Sequence, residues 1–244
     1  MTEEDAFQVY SRHAAGYAER NHREAARVEY EWPMVRALLP DVTGRRVLDA
    51  GTGAGHYAGW LAEQGAEVVG IDASEGMLAQ ARERHGDRCT FQQADLREPL
   101  PFDSGEFQLV VCQLTLEHIR DWDQVLVELG RVLEADGQLV VSTAHPFSTY
   151  FVIEHEPPEI GSADATTADY YSVERYARDW GDEEPMWVPF FRRPLREVLR
   201  PVFEAGFRLA DLREPAPDSE DRFLGYFDDE TPRFLGLRAR LDDD

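Results

Sequence analysis

The sequence has no lysine, only two cysteines and no long apolar run, and each of these absences argues against a particular kind of site, segment or partner. The two cysteines, Cys89 and Cys112, fall in apolar stretches, so we expect buried thiols rather than a disulfide or a metal site. A membrane-spanning helix is not expected, because such a helix needs about 18 consecutive apolar residues. The acidic start, Met1 to Asp5, is unlike a signal peptide, which predicts a cytoplasmic protein.

All 25 basic residues are arginine, against 48 acids, and the net charge is −23. A GC-rich genome can replace lysine with arginine, but it does not add acids. Together the two features predict adaptation to high salt, where a carboxylate surface stays hydrated and its self-repulsion is screened. An ordinary acidic protein is the alternative. Either way, nucleic acid is not expected as a partner, because duplex binding depends on basic contacts to phosphates.

The most informative stretch runs from Val47 to Gly55 and is followed by an apolar run that ends at Asp72. A buried strand enters a turn with glycines at alternate positions, Gly51, Gly53 and Gly55. Glycine lets the backbone turn tightly and approach a ligand closely. The following helix offers unpaired N–H groups, and an acid at the tip of the next strand can accept ribose hydroxyls. The pattern predicts a nucleotide-shaped site.

The spacing of the glycines separates two kinds of nucleotide ligand. A dinucleotide fingerprint, G-x-G-x-x-G, needs a glycine at position 56, where this chain has His56. The chain also has Asp49 two residues before the first glycine and a further acid, Asp95, after the next apolar segment. The ordered set of acids and glycines disfavours a nicotinamide dinucleotide.

Strand and helix patterns alternate through the middle of the chain, which predicts a parallel sheet with helices on both faces. Residues 5–39 have helical spacing, with a second helical stripe interrupted by Pro33. The expected strands are 45–50, 67–71, 89–93, 107–112, 138–143, 206–212 and 234–241, and the expected helices are 55–64, 74–84, 122–133 and 194–205.

Residues 146–191 interrupt this alternation with a segment that is rich in Tyr, Trp and Phe and contains ten acids but only two arginines. A long loop within a compact domain is usually a lid or a binding element. It follows the fifth strand, on the side where ligands bind in open α/β sheets. We therefore expect a lid whose aromatic side chains mostly anchor it to the body, with a minority facing a pocket.

At these residues the chain resembles the class I S-adenosylmethionine-dependent methyltransferases that act on small molecules. The resemblance covers most of residues 5–240 and is carried by five stretches: Val47 to Gly55, Gly70 to Met77, Ala94 to Leu96, Phe107 to Ile119 and Val125 to Val141. It departs from the family at Glu134 to Gln138, where a Lys-Pro-Gly-Gly turn is common. The resemblance implies a single domain with a Rossmann-like, seven-stranded, mostly parallel sheet that ends in an antiparallel hairpin.

The resemblance implies four segments: N-terminal helices over residues 1–42, a cofactor-binding core over 43–145, the insertion over 146–191, and a C-terminal helix and hairpin over 192–244. It also implies S-adenosylmethionine as cofactor and S-adenosylhomocysteine as product. The cofactor-binding residues that it implies are Asp49, Gly51, Thr52, Gly53, Gly55, Asp72, Ala73, Met77, Asp95, Leu96, Gln113 and Tyr17.

Methyl transfer from a sulfonium depends mainly on alignment, and a general base is needed only when the acceptor must lose a proton. The candidate bases are His118 and His145, which follow the fourth and fifth strands, with His155 in the insertion as a third. The alternative for each is a hydrogen-bonded structural histidine, which is a common role for this residue. The resemblance also implies that the N-terminal helices cover the methionine end of the cofactor, which makes Tyr10, Tyr17 and Arg23 candidates for that role; core packing is the alternative for the tyrosines.

Three functions stay open from the sequence: a small-molecule methyltransferase, a non-catalytic cofactor-binding module, and a nicotinamide-dependent oxidoreductase. The alternate-residue glycines and His56 favour the first over the third. The acceptor is expected to be a largely apolar molecule without negative charge, because the acidic insertion would repel an anion. The acceptor atom and the oligomeric state are not specified by these patterns.

Overall fold

A computed structural model describes residues 5–21, 30–155, 169–181, 184–215 and 232–241. Its central element is a seven-stranded sheet with the order β3-β2-β1-β4-β5-β9-β8. Strands β1 to β5 are parallel, and β9 runs antiparallel between β5 and β8. The expected Rossmann-like sheet with a C-terminal antiparallel hairpin is therefore confirmed.

The bounds of the elements agree with the sequence patterns to within a few residues, except at β5. The sheet strands are β1 Arg46–Ala50, β2 Glu67–Asp72, β3 Thr90–Gln93, β4 Phe107–Gln113, β5 Leu133–Ala144, β8 Phe207–Arg213 and β9 Phe234–Leu241, and a separate hairpin holds β6 Glu174–Asp179 and β7 Trp187–Arg192. The helices are α1 Ala6–Arg12, α2 Ala14–Asn21, α3 Trp32–Leu38, α4 His56–Glu63, α5 Glu75–His85, α6 Asp123–Val132, α7 Pro146–His155 and α8 Leu195–Glu204.

Alternate side chains of the central strands pack into two cores, one on each face of the sheet. Leu48 and Val110 face a core completed by α6 and α8, whereas Val47 and Leu109 face a core completed by α3 and α4. Burial on both faces explains why these strands read as nearly continuous apolar runs. The carboxyl ends of β1 and β4, where the strand order reverses, consequently meet at one edge of the sheet.

Two points of local structure bear on the sequence expectations. Pro33 lies in the first turn of α3, which begins at Trp32, and there a missing N–H costs no hydrogen bond; residues 22–29 of the expected stripe lie outside the described residues. Strand β5 begins at Leu133 rather than at residue 138, and it includes Asp136 with a positive φ of 64°. Short Asp side chains tolerate this left-handed conformation, which explains how a residue other than glycine occupies it.

The insertion is not a structureless loop. Its described part forms helix α7 and the β6–β7 hairpin, and the hairpin packs on α1. A small apolar core joins Ala6 and Val9 of α1 to Tyr176, Val188 and Phe190 of the hairpin. Tyr176 and Phe190 thus anchor the hairpin, with partly buried Trp180 packed against them, whereas Phe147, Tyr171 and Trp187 are exposed. Residues 156–168 and 182–183 lie outside the described residues.

Cys89 and Cys112 are both buried free thiols. Within the described residues, each helix is too short or too polar to cross a lipid bilayer.

Candidate cofactor and acceptor cleft

The glycine turn after β1 is built from three left-handed residues, with φ of 79° at Gly51, 55° at Gly53 and 77° at Gly55. Side chains with a β-carbon rarely adopt this conformation, which explains the alternate glycines. The turn is held by the backbone of β2, since the Gly51 and Thr52 amides each donate to the Ile71 carbonyl oxygen at 2.8 Å. These two hydrogen bonds join the glycine turn to the end of β2 and fix the backbone at the cleft edge of the sheet.

The three glycines have different surroundings, and the expectation for Gly55 was wrong. A β-carbon at Gly55 would lie 2.9 Å from Ala81, so this glycine allows α4 to pack on α5, and it does not line the cleft. A β-carbon at Gly51 would overlap the Thr115 side chain. At Gly53 it would point into the cleft, with its nearest neighbour the Met77 methyl at 3.4 Å.

Asp72, at the tip of β2, braces the turn as well as facing the cleft. Its two carboxylate oxygens accept hydrogen bonds from the Gly53 amide at 2.9 Å and the Ser74 amide at 2.8 Å. Burial raises the pKa of Asp72, although these two backbone donors oppose the rise. Each carboxylate oxygen has a second lone pair, so the side chain keeps the capacity to accept ribose hydroxyls.

Asp49, the last but one residue of β1, is buried beneath the turn. Its carboxylate accepts a hydrogen bond from the Thr52 hydroxyl at 2.6 Å. Burial raises the pKa of Asp49 to about 7, and the negative charges of Asp72 and Glu31 add to the rise. A buried carboxyl among other acids is stabilised by a cation, so this end of the cleft favours a positively charged ligand.

Asp95 lies on the loop after β3 and is paired. Arg97 donates to both of its carboxylate oxygens and also reaches Asp5 of the N-terminal segment at 3.1 Å. Burial alone would raise the pKa of Asp95, but the hydrogen bonds and charge of Arg97 outweigh it and hold the pKa below its ordinary value. This ion pair forms one end of the cleft.

These residues surround a cleft of about 1160 Å³, part of which is open to solvent. Every expected cofactor residue except Gly55 lines this cleft: Asp49, Gly51, Thr52, Gly53, Asp72, Ala73, Met77, Asp95, Leu96, Gln113 and Tyr17. The acids at its wall outnumber its basic residues, since Arg97 is the one arginine among the described lining residues. Ala73, Met77 and Leu96 supply an apolar portion in which a planar base can be held.

His118 lines the cleft and is fixed in one orientation from two sides. Its Nδ1 lies 2.9 Å from the Pro189 carbonyl oxygen of β7, and its Nε2 lies 3.2 Å from the Tyr10 hydroxyl of α1. A carbonyl can only accept, so in the neutral ring Nδ1 carries the proton and Nε2 accepts from Tyr10. The insertion therefore orients this histidine through a backbone carbonyl.

The expectation that His145 faces the cleft was wrong. His145 is buried beside the last strands, where its Nε2 lies 2.7 Å from a Glu214 carboxylate oxygen and its Nδ1 accepts from the Phe147 amide. His145 follows β5, which pairs with β4 on one side and with β9 on the other. The ring lies on the β9 side, away from the carboxyl ends of β1 and β4. The side chain of His155, at the end of α7, lies outside the described residues, as does the whole of Arg23.

The expectation that a minority of the insertion's aromatic residues face a pocket was also wrong for its described part. None of the described residues of 146–191 lines the cleft. Phe190 instead packs against the His118 ring, with ring centroids 4.5 Å apart. The insertion contacts the cleft indirectly, by supporting α1 and His118.

Trp32 and Tyr57 are two of the lining residues that sequence reasoning missed. Trp32 begins α3 and Tyr57 lies in the first turn of α4, and their rings meet edge to face with centroids 5.7 Å apart. Tyr57 directly follows His56 and the glycine turn, so its place at the start of a helix beside the site was a usable indication. Trp32 had none, because α3 reaches the cleft only through tertiary packing.

Comparison with known proteins agrees with this geometry. A family model described as a methyltransferase domain matches residues 48–141. The chain is 34% identical to a ubiquinone biosynthesis O-methyltransferase of Aromatoleum aromaticum over 168 residues, which is 64% of this chain and 72% of that protein. Several other curated methyltransferases are matched over half of their length or less.

Solved structures show the same fold. An S-adenosylmethionine-dependent methyltransferase of Mesorhizobium loti has a TM-score of 0.63 and 26% identity, with 86% of this chain and 97% of that chain covered. A protein of Listeria monocytogenes has a TM-score of 0.71 and 24% identity, with 87% and 97% covered. Fold, glycine turn and relatives together define a cofactor-dependent transferase, and the chain belongs to the class I S-adenosylmethionine-dependent methyltransferases.

The protein is thus an enzyme whose cofactor is S-adenosylmethionine, and the cleft fits that cofactor. S-Adenosylmethionine carries a sulfonium and an ammonium, and the cleft offers the buried carboxyl of Asp49 and the acid of Asp72. Glycine at position 53 leaves open the space that a β-carbon would fill beside Met77. The relatives give no specific support to the oxidoreductase or to the non-catalytic module.

Proposed function

We propose that this methyltransferase modifies a small, largely apolar molecule that is uncharged or cationic. The observation that carries the proposal is the excess of acids in the cleft, with Asp49 buried and Asp72 close to it. An anionic acceptor would be repelled by these groups and by the overall charge of −23. The same repulsion makes nucleic acid and anionic membrane surfaces unsuitable partners.

Within this proposal, the residues of the cleft divide the binding of the cofactor. Asp49 and the turn Gly51, Thr52 and Gly53 hold the methionine part, with Tyr17 above it. Asp72 accepts the ribose hydroxyls, Ala73 and Met77 flank the adenine, and Asp95 and Leu96 lie at its amino edge. When bound, S-adenosylmethionine supplies a methyl group on a sulfonium that is already a good leaving group.

His118 is the better of the two expected bases, because it lines the cleft and His145 does not. With Nδ1 held by Pro189, Nε2 is the atom that can take a proton, through or beside the Tyr10 hydroxyl. A base contributes only for acceptors that must lose a proton, by about 10²–10⁴ in rate. His118→Gln should therefore lower turnover without weakening cofactor binding.

The insertion acts as a support for α1 and His118, and α1 in turn lines the cleft. The chain is a single domain, with the cofactor-binding core at 43–145 and the insertion at 146–191. The acidity and the lack of lysine support a cytoplasmic enzyme of a salt-adapted cell.

The test is the release of S-adenosylhomocysteine from a matched series of compounds: benzylamine, benzyl alcohol and benzoate, together with any molecule that mass spectrometry finds co-purified. We expect turnover with a cationic or neutral compound and none with the carboxylate. Turnover confined to anions would contradict the charge argument. Cofactor binding without turnover of any co-purified molecule would favour the non-catalytic module.

A further inference from the structure

Two buried polar atoms in the cleft have no hydrogen-bond partner among the described residues. They are the Tyr57 hydroxyl and the Gln113 side-chain nitrogen, Nε2. Tyr57 is 4% exposed and Gln113 is 8% exposed, and both line the cleft. Buried polar groups in native proteins are nearly always paired, so each such atom needs an explanation.

The two atoms come from elements that meet only in the folded chain. Gln113 is the last residue of β4 and Tyr57 lies in the first turn of α4. The strand order places β4 on the side of β1 opposite to β2, which carries Asp72. These atoms therefore lie toward the β4 side of the cleft, away from the ribose and adenine positions.

The surroundings define the chemistry of a partner. Trp32 contributes an aromatic wall, and its ring is covered on the outside by Arg36 at 5.2 Å. Burial and the negative charges of Glu31 and Asp49 raise the pKa of Tyr57, which keeps its hydroxyl protonated. The Gln113 side chain opposes this rise in part, so the two polar groups are neighbours although their atoms lack hydrogen-bond geometry. The negative charges disfavour an anion, and this part of the cleft accommodates a planar, uncharged molecule.

We propose that Tyr57 and Gln113, beside Trp32, bind a hydroxyl group of a planar, uncharged methyl acceptor. A hydroxyl oxygen accepts hydrogen bonds from both the Gln113 amide and the protonated Tyr57 hydroxyl, so a single oxygen pairs both atoms. This rests on the proposed function, and it moves Gln113 from the cofactor to the acceptor. A carboxylate would bring a negative charge beside Glu31 and Asp49, and a hydrocarbon pairs neither atom.

The probe is phenol, with benzoate as its anionic counterpart, added to enzyme saturated with S-adenosylhomocysteine and observed by ligand NMR. The variants are Tyr57→Phe and Gln113→Leu, and the matched controls are Tyr171→Phe, in an exposed tyrosine of the insertion, and Gln92→Leu, in an exposed glutamine of β3. We expect each cleft variant to weaken phenol binding about three- to tenfold, the loss of one hydrogen bond. The controls should leave phenol binding unchanged, and benzoate should give no binding.

Two further measurements separate the acceptor from the cofactor and from folding. Calorimetry should give S-adenosylhomocysteine affinities within about twofold of wild type for both variants, because neither atom is then used by the cofactor. Thermal melts of the free enzyme should show no loss of stability, because each substitution removes a polar atom that is unpaired without ligand.

The proposal is overturned if wild-type enzyme does not bind phenol, if the variants bind it as tightly as wild type, or if S-adenosylhomocysteine affinity falls in step with phenol affinity. The last result would assign both residues to the cofactor. Wild-type enzyme that binds no S-adenosylhomocysteine would instead contradict the proposed function, so the two failures are distinguishable.

Discussion

The two ends of the cleft differ in how their polar groups are paired. At the cofactor end, which we define by Asp49, Gly51, Gly53 and Asp72, the carboxylates accept hydrogen bonds from Thr52, Gly53 and Ser74. At the acceptor end, defined by Trp32, Tyr57 and Gln113, the Tyr57 hydroxyl and the Gln113 nitrogen have no partner among the described residues. The first end is complete in the free enzyme, whereas the second is completed by a ligand.

The two ends also differ in their origin in the chain. The cofactor end comes from the turn that follows one strand and the tip of the next, and backbone amides of the same stretch support it. The acceptor end combines a residue from each of α3, α4 and β4. A common cofactor requires a constant geometry, and contiguous backbone supplies it, while separate elements let the acceptor end vary independently.

The largest effect at the cofactor end is expected from Gly51→Ala. The new β-carbon would overlap the Thr115 side chain, and the residue would keep a φ of 79°. Gly44→Ala is the matched control, because Gly44 has a φ of 71° and no atom of the described residues lies within 4 Å of the place its β-carbon would take. We expect the control to cost about 1–2 kcal/mol of unfolding free energy from the backbone alone.

Gly51→Ala should cost about 1–3 kcal/mol more than its control and should abolish cofactor binding, because Thr115 and the turn must move. Urea unfolding measures the loss of stability, and calorimetry with S-adenosylmethionine measures the loss of binding. Equal stability and intact binding in both variants would show that the turn is not a rigid cradle.

Asp72→Ala tests whether the pairing at the cofactor end is used by the ligand. The substitution removes the acceptor for the Gly53 and Ser74 amides and for the ribose hydroxyls. We expect S-adenosylmethionine binding to weaken by about 1–3 kcal/mol. The affinity of Asp72→Asn should lie between those of wild type and Asp72→Ala. Asp41→Ala is a control, since exposed Asp41 likewise accepts a backbone amide, that of Thr43. Unchanged affinity in a folded Asp72→Ala protein would remove Asp72 from the cofactor site.

The pH dependence of cofactor binding tests the electrostatic difference between the two ends. The pKa of Asp49 is raised to about 7 in the free enzyme, so the folded state holds this proton more tightly than the unfolded chain does. Its contribution to the stability of the free enzyme is fully present below about pH 4 and is lost as pH rises through the raised pKa. A bound cation favours the ionised carboxylate, so binding should release protons.

We expect S-adenosylmethionine affinity to rise by up to about tenfold between roughly pH 6 and pH 8. Calorimetry in buffers of different ionisation enthalpy measures the released protons. Asp49→Asn should flatten the dependence, and a flat profile in wild type would show that Asp49 is already ionised.

Salt should act on the surface acids and leave the buried acids of the cleft largely unaffected. With a net charge of −23, thermal stability should rise between dilute buffer and molar potassium chloride as repulsion is screened. For a chain of this size each kcal/mol gained corresponds to about 2–4 °C. A melting temperature that does not change across this range would show that the acidity is not an adaptation to salt. The same conclusion would follow if sucrose, which does not screen charge, raised the melting temperature as much as salt does.

Much of the cofactor end could be predicted from the sequence, because its determinants are local. Alternate glycines require a left-handed turn, and all three have positive φ. Acids at strand tips of a parallel sheet must share one edge, which brings Asp49 and Asp72 to the cleft. Gly55 was misassigned because local sequence does not distinguish a glycine needed for a ligand from one needed for helix packing.

Placement of the histidines could not be predicted. His118 and His145 each follow a parallel strand, but the first is oriented by Pro189, 71 residues away in sequence, and the second by Glu214, 69 residues away. The insertion shows the same limit. Its aromatic content indicated buried contacts, but the helix and hairpin that it forms, and the packing of the hairpin on α1 rather than on the cleft, follow from long-range contacts.

Local sequence was enough to specify the alternation of strands and helices, the glycine turn, the acids at the strand tips and the charge. Each of these follows from backbone sterics, side-chain periodicity or composition, which act over a few residues. The folded chain was needed to select which histidine meets the cleft, what the insertion covers, and the meeting of Trp32, Tyr57 and Gln113. These depend on packing between distant segments, where the burial of many side chains at once, rather than any local preference, selects the arrangement.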